Sequence, residues 1–197
     1  MLTKQLFVSG NLFIMGIHQV LELHFDPDIE TMLVKCRQAI SSAVFPAQQG
    51  SNDIAPHLSL TSSEGNAVLS QIDGVGALCS SRNILRIDFS YAGLFSGRGK
   101  TLFLGVTPAP ELLDFHRELH DLLCASGIKQ AAFMQPGTFV PHCSLATNMT
   151  DKQALKALSI VMEAELPCQA VAKTLHLVEY YPVRTLSVLP LKEGQIT

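Results

Sequence analysis

The same five-residue phrase occurs twice, at corresponding places in two similar stretches of chain, and this duplication limits the possible folds more than any other feature. The copies are Pro56-His57-Leu58-Ser59-Leu60 and Pro141-His142-Cys143-Ser144-Leu145. Ahead of the first, residues 20–25 alternate as a strand, with Leu21, Leu23 and Phe25 on one face and Glu22 and His24 on the other. Asp26-Pro27-Asp28 then opens a helix carrying Ile29, Met32, Leu33, Cys36 and Ile40 at helical spacing and ending before Pro46. After the motif come a weakly helical stretch over residues 66–79 and strands over 84–92 and 101–106. Ser96-Gly97-Arg98-Gly99-Lys100 joins those strands as a hairpin connection. The second half repeats the plan. Pro108 and Pro110 start a helix through Leu112, Phe115, Leu119 and Leu123, closed by Gly127, and a loop with Pro136-Gly137 leads to the second motif. A helix over 151–165 and strands over 174–181 and 184–189 follow.

A degenerate tandem repeat of strands and helices, with hairpins as well as crossovers, predicts an α+β architecture: antiparallel sheets facing across a central groove, with helices outside and a pseudo-twofold axis relating two lobes. At 197 residues the chain suits one domain, residues 1–197, built from lobes of roughly 18–100 and 101–191 with strand exchange possible. Apolar residues are 47% and charged residues 16%, below the ~25% usual for soluble domains, so most of the chain has to be buried. A net charge of −3 does not suit a protein gripping long duplex nucleic acid, whereas a small anionic ligand fits. Cys36, Cys79, Cys124, Cys143 and Cys168 are an odd set without a CxxC pair and read as buried thiols in the cytoplasm. The apolar residues 6–17 are interrupted by Ser9, Gly10, Asn11 and Gly16 and lack a signal-peptide cleavage pattern, and no run approaches the ~18 residues of a membrane span. The sequon Asn148-Met149-Thr150 is discounted as a chance match outside a secretory context. The expectation is a monomer.

Within a strand, residues two apart share a face. His57 and Ser59 therefore point the same way, as do His142 and Ser144, and two facing lobes would bring two imidazoles and two hydroxyls into one groove. This duplicated pattern closely resembles the 2H phosphoesterase superfamily, the LigT-like or 2′-5′ RNA ligase-like proteins, whose signature is a pair of His-x-Thr/Ser motifs in a duplicated fold. The likeness extends to Leu175-His176-Leu177-Val178-Glu179 through Pro182, Leu186 and Pro190-Leu191, which resembles the closing hairpin, and to residues 101–108, which resemble the mid-chain strand and helix entry. Both motifs carry Ser where many members carry Thr. The hydroxyl is the same, but the subfamily is left open.

The residues suit that chemistry in their own right. Opening a cyclic phosphodiester or cleaving a linear one requires a proton taken from the attacking oxygen and another given to the leaving oxygen. Two imidazoles with ordinary pKa near ~6.5 do both at neutral pH, one as base and one as acid. Ser59 and Ser144 would donate to non-bridging phosphoryl oxygens as phosphorus becomes five-coordinate. The resemblance implies a metal-independent, cofactor-free hydrolase of 2′,3′-cyclic phosphates or 2′-5′ linkages, with a nucleotide or short RNA as its partner. A non-catalytic nucleotide- or RNA-binding module on the same fold is the alternative.

Strand alternation adds candidate binding residues. With Leu85, Ile87, Phe89 and Tyr91 on the apolar face, Arg86, Asp88 and Ser90 lie opposite; with Leu175 and Leu177 in the core, His176, Val178 and Tyr180 lie opposite. Arg86 and His176 are read as repeat equivalents that touch phosphate, and Tyr180 or Phe139 as a base-stacking ring. His24 would share the groove face without a partner in the other repeat. No acidic residue adjoins either motif, which argues against a metal pair. His116 and His120 invite a zinc reading, but Glu118 does not stand where either zinc motif needs it, so a solvated helix face is expected. Gly97-Arg98-Gly99-Lys100-Thr101 lacks the upstream glycine of a phosphate loop and reads as a turn, with Arg98 and Lys100 at most guiding an anion.

Overall fold

Leu21, Leu23 and Phe25 are buried, and Glu22 and His24 occupy the opposite face of strand β1 (His18–Phe25), so the alternation holds. The structure is a computed structural model describing residues 18–45, 54–97, 99–163, 168–180 and 182–194. The apolar residues 6–17, the loop 48–53 and Arg98 fall outside these. Helix α1 (Pro27–Val44) begins at Asp26, whose Oδ1 accepts from the Ile29 N–H, with Pro27 at the first position where its missing N–H costs nothing. Strand β2 (His57–Glu64) carries the first motif. The weakly helical stretch is a 3-10 turn, Ala67–Gln71, running into α2 (Ile72–Ser81), where Gly74 and Gly76 dilute the helical signal.

Strands β3 (Leu85–Phe95) and β4 (Lys100–Val106) form the hairpin, followed by α3 (Pro110–Ala125), which Gly127 closes at φ +75°. Strand β5 (His142–Met149) holds the second motif. Helix α4 (Asp151–Met162) starts in a capping box between Thr150 and Gln153; its expected end at 165 lies outside the described residues. Strand β6 (Cys168–Tyr180) begins six residues before the expected position 174, because Ala170 and Ala172 fill core sites without the β-branched residues that mark a strand. Strand β7 (Arg184–Pro190) completes the set.

The named strands pair antiparallel, in the order β2-β1-β6-β3-β4-β5, with β7 beside the distal part of β6. The facing sheets expected from the repeat are thus two wings of one seven-stranded sheet, joined where Leu85 to Phe89 pair with Ala172 to Cys168. Each wing takes strands from both halves of the chain: β6 lies against β1, and β3 against β4. Helices exchange too, since α1 packs on α4 and β5 while α2 and α3 contact β7 and β2. One apolar cluster runs through both wings, from Leu21 and Leu58 to Phe89, Phe115 and Leu145. Burying each such side chain contributes roughly 1.5–3 kcal/mol.

Two expectations about faces are corrected. A register shift between Phe89 and Tyr91 places Phe89 opposite Val106 and Tyr91 opposite Gly105, so Ser90 is an extra residue and Tyr91 leaves the core face. Nor are Arg86 and His176 equivalent. His57 faces His24, which faces Thr174, while His142 faces Gly105, which faces Tyr91. Two residues further on, His176 corresponds to Gly93, and Arg86 corresponds to Gln169. The same rows give His24 a counterpart after all, Gly105.

Candidate active site

The motif strands β2 and β5 are the outer strands of the two wings, and three contacts bring their beginnings together. The Arg37 guanidinium on α1 donates from Nε (3.2 Å) and Nη2 (2.6 Å) to the Ser144 carbonyl, and from Nη1 (2.7 Å) to the Ile54 carbonyl just ahead of β2. The His57 backbone N–H points at the Cys143 sulfur, and the His57 charge acts on the His142 ring. The two motifs, expected to converge, thus begin close together. Burial pushes the Cys143 thiol up to about 11, so it packs rather than reacts.

Both histidines are held alike. His57 Nδ1 lies 2.8 Å from the Ala55 carbonyl and His142 Nδ1 2.7 Å from the Val140 carbonyl. A carbonyl only accepts, so Nδ1 carries the proton in each ring and Nε2 is left for proton transfer. Burial holds both imidazoles below their ordinary pKa; the Glu22 carboxylate opposes this at His57, and the Val140 carbonyl opposes it at His142. Ser59 stands opposite Glu22 and Ser144 opposite Phe103. Among the described residues neither hydroxyl has a hydrogen-bond partner, so both are available to a ligand.

Around His57 the wing is polar and titratable. Glu22, 1% exposed, places Oε1 3.4 Å from His57 Nε2 and Oε2 3.6 Å from His24 Nε2, and it accepts from the Tyr180 hydroxyl. Burial works against the Glu22 charge, but His57, His24 and Tyr180 outweigh it and keep the carboxyl below the usual range. His176 stacks on His24 with ring centroids 3.8 Å apart, and its Nε2 lies 3.0 Å from Thr174 Oγ1. Burial and the charge of His24 push His176 down to about 4, so the ring is neutral at pH 7. Tyr180, expected as a stacking ring, is tethered through its hydroxyl to Glu22.

Around His142 the wing is aromatic. Phe95 and Phe103 pack against the His142 ring at 4.8 and 5.3 Å, inclined to it by 80° and 63°, and stack on one another at 4.2 Å. Gly105 leaves the space that Tyr91 fills, since a Cβ there would meet the tyrosine ring at 2.0 Å; Gly93 does the same for Phe103. A pocket of about 180 Å³ opens beside His142, walled by Phe95, Phe133, Met134, Phe139 and Val140. Phe139, expected as a base-stacking ring, lines this pocket. Its ring is backed by His116, stacked at 3.9 Å and only 9° from parallel.

His116 is a further correction. It is buried rather than solvated, and Nε2–H donates to the Met134 carbonyl at 2.8 Å, fixing the loop that carries Phe139. His120 instead lies beside Asp121 and Cys124. That cysteine is exposed, against the expectation of a buried thiol. Arg86 is exposed and paired with Asp88 at 3.1 Å; no described contact ties it to either motif. Lys100 bonds the Gly97 carbonyl and Asp151. Among the described residues no group of three or more His, Cys, Asp or Glu is arranged to hold a metal ion, and no helix is long and apolar enough to cross a membrane.

Sequence reasoning missed Glu22, Arg37, Phe95 and Phe103. Glu22 had a signal, an acid on the polar face of a strand next to the motif strand, but strand adjacency had to be known first. It also overturns the statement that no acid adjoins a motif: none does in sequence, and one does in space. Arg37 had none, because a lone arginine in a helix usually marks a solvated face.

Residues 25–184 match the family model of the 2′-5′ RNA ligase superfamily. Among solved structures, apo LigT of E. coli superposes with a TM-score of 0.60 at 16% identity, covering 90% of this chain and 99% of that one. TT0787 of Thermus thermophilus gives 0.58 at 14% identity, covering 90% and 100%. Usb1 of Kluyveromyces marxianus gives 0.51 at 13%, covering 89% and 98%. At these identities the likeness is one of fold. LigT has also been solved complexed with 3′-AMP, with phosphate and with ATP. Comparison with curated protein sequences yields no match.

Proposed function

Because the chain belongs to the 2′-5′ RNA ligase superfamily, we propose that it is a phosphodiesterase that needs no metal, hydrolysing 2′,3′-cyclic phosphates or 2′-5′ linkages of nucleotides or short RNA. His57 and His142 are its acid and base. The observation that carries this reading is the matched restraint of the two rings: each gives Nδ1–H to the carbonyl two residues back, at 2.8 and 2.7 Å, and so presents Nε2 in the tautomer proton transfer needs. One Nε2 takes the proton of the attacking oxygen and the other supplies the leaving oxygen. Ser59 and Ser144, on the same strand faces, donate to the non-bridging oxygens as charge builds on them. The pocket beside His142 suits a planar base, which Phe139 or Phe95 would contact. Nucleotides and phosphate bound to LigT support a phosphorylated ligand.

The test is turnover of 2′,3′-cyclic nucleotides and of a 2′-5′-linked oligoadenylate by the full chain in the presence of EDTA, with chromatographic product analysis. Hydrolysis that persists in EDTA and is lost in His57→Ala and His142→Ala is the expected result. Saturable binding with no turnover would favour a non-catalytic nucleotide-binding module.

A further inference from the structure

Position by position the two wings correspond, but their chemistry does not. At the site opposite the motif serine, β1 carries Glu22 and β4 carries Phe103. A buried carboxylate beside an imidazole favours the imidazolium, whereas phenylalanine rings carry no formal counter-charge. His57 has Glu22 Oε1 3.4 Å from Nε2; His142 has Phe95 and Phe103 at ring distances of 4.8 and 5.3 Å. The Tyr180 hydroxyl, reaching from β6, fixes the carboxylate oxygen that faces His57.

We propose that Glu22, anchored by Tyr180, is a positioning residue that keeps the proton of the active pair on His57, making His57 the general acid and His142 the general base. This rests on the phosphodiesterase reading above. At 3.4 Å the Nε2 to Glu22 contact is an ion-pair separation, longer than a formed charge-assisted hydrogen bond, so the carboxylate supports the proton without locking it away from a leaving oxygen. In the reaction, His142 Nε2 takes a proton from the attacking water as its oxygen bonds to phosphorus. The bond from phosphorus to the leaving oxygen breaks, and that oxygen takes the proton from His57 Nε2. Solvent then removes the proton from His142 and returns one to His57.

Other groups face His57 from each neighbouring element. Arg37 from α1 and His24 on β1 add positive charge that works against a protonated His57; Cys143 from β5 is a neutral thiol; His176 on β6 is neutral against His24. Burial works against it as well, and Glu22 is the strongest influence in the other direction. His142 feels burial and the His57 charge, opposed only by the Val140 carbonyl.

Site-resolved titration of the imidazole resonances by NMR, on the full chain without substrate, tests the proposal. In the wild type His57 should release its proton at higher pH than His142. In Glu22→Gln, which keeps an acceptor for Tyr180, the His57 value should fall by about a unit or more while the His142 value changes little. Activity on a cyclic nucleotide should drop about tenfold or more at pH 7, with the basic limb of the kcat/KM profile moved to lower pH and the acidic limb unmoved. Tyr180→Phe should shift His57 in the same direction by less. A wild type in which His142 titrates above His57, or a Glu22→Gln protein whose His57 value is unmoved, overturns the proposal. The wild-type measurement depends on no variant folding. Because it uses no substrate, a reversed order counts against Glu22 alone, and absent turnover counts against the phosphodiesterase reading.

Discussion

Replacing Arg37 by alanine should both destabilise the protein and loosen the active site, because one guanidinium holds the starts of both motif strands. It makes three donor contacts to two backbone carbonyls, those of Ser144 and Ile54, at 2.6 to 3.2 Å. Hydrogen bonds from a charged donor contribute about 1.5–3 kcal/mol each. Two of the three share one acceptor, so two carbonyls, not three bonds, set the scale, and the expected loss is about 3 kcal/mol. For a domain of this size that lowers Tm by about 6–12 °C. Both acceptors are neutral, so the loss should change little between low and high salt, unlike that of an ion pair. The activity consequence is geometric: β2 and β5 lose their common tether, and kcat should fall more than KM rises, since misplaced acid and base slow the chemical step. Arg37→Lys, a point donor that cannot reach both carbonyls in a fork, should recover only part of either loss. Urea unfolding followed by circular dichroism, with steady-state kinetics on the folded fraction, measures both. An alanine variant within about 0.5 kcal/mol of wild type, the scatter of an ordinary surface substitution, with unchanged kcat would refute the idea that this residue sets the spacing of the motifs.

Ser59→Ala and Ser144→Ala should each lower kcat, by about 2–4 kcal/mol of transition-state stabilisation if the hydroxyl acts as an oxyanion donor, while Ser→Thr retains most activity; a rise in KM alone would show ground-state binding only. Gly105→Ala would drive a methyl into the Tyr91 ring, so a stability loss of about 1–3 kcal/mol is expected from denaturant unfolding, with Tyr91→Ala in the same background relieving most of it. Acid should destabilise the fold in a defined window. His176 is held near 4 and the unfolded histidine value is near ~6.5, so between these pH values the unfolded chain binds more protons than the folded one and stability falls as pH drops. Unfolding midpoints measured from pH 7 to 4 should decline through that range, and His176→Asn should flatten the slope.

The parts of this molecule legible in the sequence are those whose signals are local. Alternation places Glu22 and His24 opposite Leu21 and Leu23, Asp26-Pro27 marks a helix start, and the repeated motif identifies both motif strands. What escaped depends on partners distant in the chain. The bulge at Ser90 exists only against β4, and it turns Tyr91 from a core residue into a groove residue. The start of β6 is built from small residues that become strand only because β3 and β1 flank them. The Glu22 carboxylate reaches His57 because the register sets Glu22 opposite Ser59, a fact absent from any window of neighbouring residues. His116 looked like a surface histidine because its helix is amphipathic, and its burial depends on the loop carrying Phe139 folding over it.

Whether His57 and His142 work as one proton-transfer pair is measured most directly by a double-mutant cycle on kcat/KM with a 2′,3′-cyclic nucleotide, in EDTA. Each single alanine variant should lose ~10²-fold or more, and the double variant should lose little beyond the worse single one, since removing either partner already breaks the proton cycle. Losses that multiply, or a single variant retaining full activity, would contradict a shared proton cycle.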